Sequence, residues 1–381
     1  MEDHDPGKAA ERCRRWFGGR ACRITSLPGG SSGSPVFAID VDAVGPASVR
    51  LCDSVAPHPS PCQPRFVLKA FALGWSPERA RWLHRLINWL EEEQITVVAG
   101  PERLVGSGEQ TILEEADGRL WEMVAWRGGS PLAAPRETQA ARAMEELARV
   151  HRAAARFCDP FPAAAASGSP AAAASGSPGI PAFLRRQAAA RRLLDAPQGG
   201  WGTRPPGWLG EEVARRREVA AAVWNRKRAV LQRLVAATPP RVRLQPVLRD
   251  VWSDHVLFEG DAVSGLIDLH AAGIDTPATD LARLLGSWSH NGAVGEPLGR
   301  CWADAIAAYE SVSPLEPAER RLIDLLDAGG VIGGLEQWFR WILEEKIEFS
   351  SPVAALKRID VLLEKLDSAL DRTSRWLSDT D

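Results

Sequence analysis

A brief return of β-character inside an otherwise helical stretch constrains this 381-residue chain more than any other feature. Between Leu244 and Asp268 the strand-like runs LQPVL, HVLF and AVSGLID surround short turns. The flanking sequence is helical: Thr138–Phe157 upstream, and from Thr279 to the end, with Pro297, Pro314, Pro317 and Pro352 near expected helix starts. The first third, by contrast, is β-rich. Apolar stretches at Cys22–Leu27, Pro35–Val41 and Phe66–Phe71 are separated by the Gly, Ser and Pro clusters that mark turns. Further strands are expected at Arg103–Val105, Gln110–Glu114 and Leu120–Ala125. The four prolines of Val55–Pro64 withhold the N–H groups a central strand needs, so that segment is a loop. One helix interrupts the strands, Pro77–Glu93, with Ser76 as N-cap, Pro77 in the first position, and Trp82, Leu86, Trp89 and Leu90 on its buried face.

Composition narrows the function classes. Hydrophobic residues make up 45% and charged residues 25%, ordinary for a globular protein, and the net charge of −3 argues against a nucleic-acid surface as the main business. No apolar run is long enough to span a membrane, and the first residues have no signal-peptide core. The six cysteines form no CxxC pair. A reduced, cytoplasmic protein is the simplest expectation. Residues 163–178 write one eight-residue unit, AAAASGSP, twice; with no side chains to bury, this is expected to be a surface insertion.

Four features can carry chemistry. Lys69 lies in RFVLKAF, where an ammonium among apolar neighbours must find an anion or emerge at an edge. Taken alone it reads as the solvated side of an alternating strand. Upstream, Pro28–Ser34 (PGGSSGS) holds Gly29, Gly30, Ser31, Ser32 and Gly33, a turn whose backbone N–H groups could approach a phosphate closely, although a Gly-rich hairpin turn is the commoner use. Asp250 follows a strand, and Asp268 closes the next apolar strand. In phosphoryl transfer one aspartate orients the attacking hydroxyl and accepts its proton, and a second binds the Mg²⁺ that bridges the nucleotide phosphates. Either aspartate alone reads as a turn residue. His84 and His151, inside helices, read as packed side chains.

The order of these features resembles the aminoglycoside phosphotransferase and choline kinase family, which is related to protein kinases. LRDVWSDHVLF followed by GLIDLHAAGIDTPATDLARLLGS is similar to that family's catalytic segment, and LWEMVAWRGG to the link between its lobes. The resemblance implies an α+β, bilobal protein-kinase-like fold: a small β-rich N-lobe over residues 1–126 and a larger, mostly helical C-lobe over 127–381. It implies that Lys69 pairs with the nucleotide's phosphates, that Asp250 is the catalytic base and Asp268 a Mg²⁺ ligand, and that Asp280 braces the catalytic loop. Met123–Trp126 would offer backbone groups to the purine. Glu78 would partner Lys69. Two positions depart from the pattern: Leu248 stands where the family has His, and His255 where it has Asn as a second metal ligand, although Mg²⁺ prefers oxygen.

These readings lead to the expectation of a small-molecule kinase using ATP or GTP with Mg²⁺ and a hydroxylated acceptor, without nucleic acid or membrane as partner. The oligomeric state and the acceptor are left open. Leu248 and His255 motivate the alternative of a catalytically impaired nucleotide-binding scaffold. Nucleotidyl transfer on the same fold is a third.

Overall fold

The computed structural model of the chain describes residues 5–20, 22–27, 34–41, 50–51, 65–162, 179–195, 207–288, 298–347, 349 and 351–379. It contains two compact units. The first comprises Met1–Leu132, Arg152–Ala165 and Asp254–Ala271, and the second Ala133–His151, Ala166–Ser253 and Ala272–Asp381. The first unit therefore takes in a segment from far along the chain.

The first unit is built on a six-stranded sheet. Its strands are β1 (Cys22–Leu27), β2 (Val36–Val41), β3 (Arg50–Leu51), β4 (Arg65–Ala70), β5 (Ile112–Glu114) and β6 (Leu120–Ala125), in the order β3-β1-β2-β4-β6-β5. All neighbours are antiparallel except β1 and β3. Side chains alternate between the faces of a strand, and β4 shows why its lysine is tolerated. Leu68 and Ala70 are wholly buried and Phe66 packs beside them in the core, which puts Lys69 on the opposite face.

A helix not expected from the sequence closes this core. In α1 (Pro6–Phe17) the Asp5 carboxylate caps the Gly7 N–H at 2.8 Å, and Gly18, at φ 60°, ends the helix in the left-handed conformation that glycine adopts without strain. Ala9, Ala10, Cys13 and Trp16 are buried with Ile24, Phe37 and Trp121. Arg12 binds both Glu115 oxygens, at 2.8 and 2.9 Å, and lies 3.9 Å above the Trp121 ring.

Helix α2 (Pro77–Glu92) begins as expected, the Ser76 hydroxyl accepting the Arg79 N–H at 3.1 Å, and buries Trp82, Leu86 and Leu90. The strand expected at Arg103–Val105 is not formed. Pro101 makes an isolated bridge to Val124, and Gly106 and Gly108, both at positive φ, turn the chain away. A smaller sheet has the order β10-β9-β7, from β7 (Ser130–Pro131), β9 (Val256–Glu259) and β10 (Ala262–Leu266). Gly129 lets β7 approach: at φ 101°, a Cβ there would stand 2.8 Å from the Phe258 carbonyl oxygen.

The second unit is helical around one two-stranded ladder. Its helices are α3 (Glu137–Ala154, all but its last turn), α4 (Pro181–Asp195), α5 (Trp208–Arg226), α6 (Arg228–Ala236), α7 (Ala278–Trp288), α8 (Leu298–Glu310), α9 (Pro317–Phe339) and α10 (Pro352–Ser378). α9 packs along α10 and also against α4 and α7. Strands β8 (Gln245–Val247) and β11 (Gly273–Asp275) pair antiparallel. Among the described residues, no helix is long and apolar enough to cross a membrane.

Candidate active site

In the first unit, β4 and the end of β10 bring together residues 199 positions apart. The Lys69 ammonium is paired with Asp268 Oδ1. Asp268 adopts φ 59°, a left-handed conformation in which Asp is among the tolerated residues. Burial would raise its carboxyl, but the Lys69 charge and hydrogen bond, with His270 and His255 adding to them, hold it below the usual carboxylate range. His255 Nε2 lies 3.7 Å from Asp268 Oδ2, so the two expected metal ligands are near neighbours.

A second cluster forms around β6, the strand that pairs with β4. Glu122 of β6 is buried and opposes Lys69 in the ladder. Its Oε2 is 2.8 Å from His84 Nε2 and its Oε1 is 2.6 Å from His270 Nε2. His84 Nδ1 is 2.7 Å from the Thr111 hydroxyl, and the His270 ring stacks on Phe71 with centroids 4.3 Å apart. Burial works against the Glu122 carboxylate, yet the two imidazoles outweigh it and drive the carboxyl well below its ordinary value.

The expected partner of Lys69 is elsewhere. Glu78, in the exposed first turn of α2, is 3.8 Å from Arg81. The helix presents His84 inward, and β6 supplies the buried carboxylate. Met123 lies wholly within the core, its carbonyl accepting the Glu102 N–H at 2.7 Å. Trp126 is just beyond β6 and 36% exposed. Gly29, Gly30, Ser31, Ser32 and Gly33 lie outside the described residues, as does the 163–178 insertion.

In the second unit, Asp280, wholly buried near the start of α7, organises the loop that carries Asp250. Its carboxylate accepts the Leu248 N–H at 2.7 Å and the Arg249 N–H at 2.6 Å, and it lies 3.0 Å from His151 Nε2. His151 Nδ1 is in turn 2.8 Å from the Tyr309 hydroxyl. Arg249 is held at φ 66°. The loop is thus supported through the Leu248 backbone, whatever side chain stands there. The Asp250 Oδ1 accepts from Arg283 Nη2 at 2.9 Å and Nε at 3.2 Å.

Residues 58–323 match the model of the phosphotransferase enzyme family, well over half of the chain. The chain belongs to the phosphotransferase enzyme family. Within this family it is similar to the homoserine kinase of Methylobacterium nodulans, 39% identical over 116 residues, which cover 30% of this chain and 35% of that kinase. It is also similar to the homoserine kinase of Gluconacetobacter diazotrophicus, 34% identical over 139 residues, covering 34% and 42% of the two chains. The chain thus spans under half the length of these curated relatives. Among solved structures it resembles an amicoumacin kinase in complex with AMP-PNP, Ca²⁺ and amicoumacin (TM-score 0.59, 10% identity, 96% of this chain and 94% of that one). It also resembles a microcompartment-associated aminopropanol kinase (TM-score 0.56, 13% identity, 96% and 98%). At such identities the likeness establishes the fold, which is α+β and protein-kinase-like, as the sequence implied.

Proposed function

We propose that this family member transfers the terminal phosphate of ATP or GTP to a hydroxyl of a small molecule. The observation that carries the reading is the Lys69–Asp268 pair: an ammonium and a carboxylate, distant in sequence, joined at the ends of two strands in a protein-kinase-like fold. In this reading Lys69 turns to the nucleotide's phosphates, Asp250 aligns the acceptor hydroxyl and takes its proton, and Asp280 holds the Asp250 loop in place. Lys69 and Asp268 are each other's counter-charge, and the phosphates would take over that role for the lysine.

The residues present suit Mg²⁺ arriving with the nucleotide. Among the described residues no three His, Cys, Asp or Glu side chains gather into a cage. Mg²⁺ is commonly held by one or two carboxylates, phosphate oxygens and water. Asp268 would supply the carboxylate; His255 is a poor ligand for this ion, and its better role is a hydrogen bond to Asp268 or to a metal-bound water. The bound ion would neutralise charge on the phosphates. The amicoumacin kinase, solved in complex with AMP-PNP, supports a nucleotide co-substrate here, and the homoserine kinases make homoserine the first acceptor to try.

Calorimetry with ATP and GTP, with and without Mg²⁺, tests the reading. Metal-dependent binding is expected in the wild type and lost in Asp268→Ala. Asp250→Asn is expected to keep that binding and to lose turnover about 10²–10⁴-fold, the usual contribution of a general base. Absence of nucleotide binding under every condition would overturn phosphotransfer; binding without turnover of any acceptor would favour the scaffold alternative.

A further inference from the structure

Within the first unit, Asp268 stands in a turn that is held from both sides. Before it, the Ile267 N–H donates to the His255 carbonyl at 3.0 Å and the Leu266 N–H to the Val97 carbonyl at 2.7 Å. After it, the chain makes a single 3₁₀ turn, Leu269–Ala271, which buries Leu269 and brings the His270 ring back to the sheet. Asp268 itself has a φ of 59°. A non-glycine residue persists in that region only where its surroundings over-determine it.

The His270 ring is fixed in two ways. Its plane lies 12° from that of Phe71, with centroids 4.3 Å apart, and Trp75 closes on it at 5.6 Å. Phe71 is wholly buried and tied to β6, its N–H donating to the Leu120 carbonyl at 2.9 Å. The other hold is Glu122, whose Oε1 lies 2.6 Å from His270 Nε2. An ionised carboxylate can only accept, so both imidazoles donate to Glu122, His84 from α2 and His270 from the turn. Hydrogen bonds to a charged acceptor are the short, strong ones. Helix α2 therefore reaches the Asp268 turn through the two oxygens of one carboxylate, and not through Lys69.

We infer that Glu122 and His270, anchored to α2 by His84, are positioning residues for Asp268: they set where its carboxylate stands for Lys69 and for the metal that accompanies the nucleotide. The metal half of the inference rests on the phosphotransfer reading; the Lys69 half does not. In this role neither residue touches nucleotide or metal. His270 acts through the backbone of its turn, two residues beyond Asp268, and Glu122 acts through His270. Groups that orient a metal-ligating side chain contribute about 10- to 100-fold in metal affinity. Imidazole suits the position because it offers a flat face to Phe71 and a donor to Glu122 at once. A phenyl ring keeps only the first of these, and a carboxamide only the second.

Two readouts on His270→Phe and His270→Gln test this. Acetylation of Lys69 by an amine-reactive reagent, followed by peptide mass spectrometry with Lys227 as internal reference, reports the Lys69–Asp268 pair without any ligand. Asp268→Ala sets the rate of a released lysine. His270→Phe is expected to move to that rate and His270→Gln to stay nearer the wild type. His270→Asn, too short to reach Glu122, repeats the loss with a second side chain, and urea unfolding confirms that each variant folds. Calorimetry with a non-hydrolysable ATP analogue reports the metal. The factor by which Mg²⁺ tightens binding is expected to fall about 10-fold in His270→Phe and to recover in part in His270→Gln, while binding without Mg²⁺ is not weakened. A merely structural role lowers the unfolding midpoint and moves neither readout. If Lys69 is acetylated in His270→Phe as slowly as in the wild type, or if a Mg²⁺ effect seen in the wild type survives that substitution, the positioning role is overturned. If acetylation responds as expected and the wild type binds no nucleotide under any condition, the positioning of Asp268 against Lys69 stands and the phosphotransfer reading falls.

Discussion

Lys69 and Glu122 are directly opposed across β4 and β6, yet their charges are used differently: the lysine goes to Asp268, and the glutamate holds two histidines from either side. One face of the ladder therefore carries both an outward-going cation and a buried anion. Removing Glu122 by substitution to Ala leaves His84 and His270 without their acceptor. Breaking a buried charged pair in this way costs about 3–5 kcal/mol. Urea unfolding is expected to show that loss for Glu122→Ala and a smaller one for Glu122→Gln, which retains an acceptor.

The same cluster fixes a pH dependence. Burial disfavours the Glu122 carboxylate, but His270 and His84 outweigh it, so its folded value lies below the unfolded one. Lys69 faces the same site from β4, and Thr111 completes it through His84. A depressed carboxyl contributes stability that is fully present above its unfolded pKa of about 4.3 and is lost as the pH falls below it. Stability measured from pH 6 down to pH 3 is expected to fall more steeply in the wild type than in Glu122→Gln. Parallel curves would show that the two imidazoles do not depress this carboxyl.

Asp280 touches neither nucleotide nor acceptor in the proposed reaction; it positions the Asp250 loop through the Leu248 and Arg249 N–H groups. Substitution to Ala orphans both, together with His151. A merely structural role would lower stability alone, by about 1–3 kcal/mol for each unsatisfied group. A positioning role also lowers kcat by 100-fold or more while leaving the nucleotide Kd near the wild-type value. The split between kcat and Kd distinguishes the two, and Asp280→Asn, able to accept only one N–H well, should fall between.

Much of this arrangement is legible in the sequence because it is local. Alternating apolar residues mark β1, β2, β4 and β6, and Ser76-Pro77 marks the start of α2. The paired aspartates near β8 and β10 stand out by their place at strand ends. What is not legible is set by contacts at long separation. Nothing near His151 points to Asp280, 129 residues on, or to Tyr309, 158 residues on. The choice of Glu78 as the partner of Lys69 follows the order of elements, whereas the outcome depends on which α2 side chain faces the sheet, and that is His84. Glu122 carries the same signal as Lys69, an ionisable side chain among Leu120, Trp121, Met123 and Val124, and the same reasoning applied to both would find it. Helix α1 is marked by Asp5-Pro6 and Gly18-Gly19, but a short, charge-rich segment at a terminus has too weak an apolar pattern to separate it from a tail.

Replacing Lys69 by Met tests its proposed contact with phosphate. A hydrogen bond to a charged group contributes about 1.5–3 kcal/mol, so the nucleotide Kd should rise roughly 10- to 100-fold. The Asp268 carboxylate loses its counter-charge at the same time, and a small fall in unfolding midpoint should accompany the change. An unchanged Kd would remove Lys69 from the nucleotide site.

Two glycines of α9 meet different neighbours. A Cβ on Gly329 would stand 2.4 Å from Arg186 Cγ, in the stem of that side chain, so Arg186 must move. A Cβ on Gly333 would meet only the Ala189 Cβ, at 3.5 Å, an ordinary contact. Alanine is favoured over glycine inside a helix by about 1 kcal/mol, so Gly333→Ala is expected to raise stability by up to that amount. For Gly329→Ala, the same gain is offset by an overpacking cost of about 1–3 kcal/mol. Urea unfolding is therefore expected to show Gly329→Ala less stable than Gly333→Ala. If the two variants are equally stable, the Arg186 stem gives way to the added methyl group without cost.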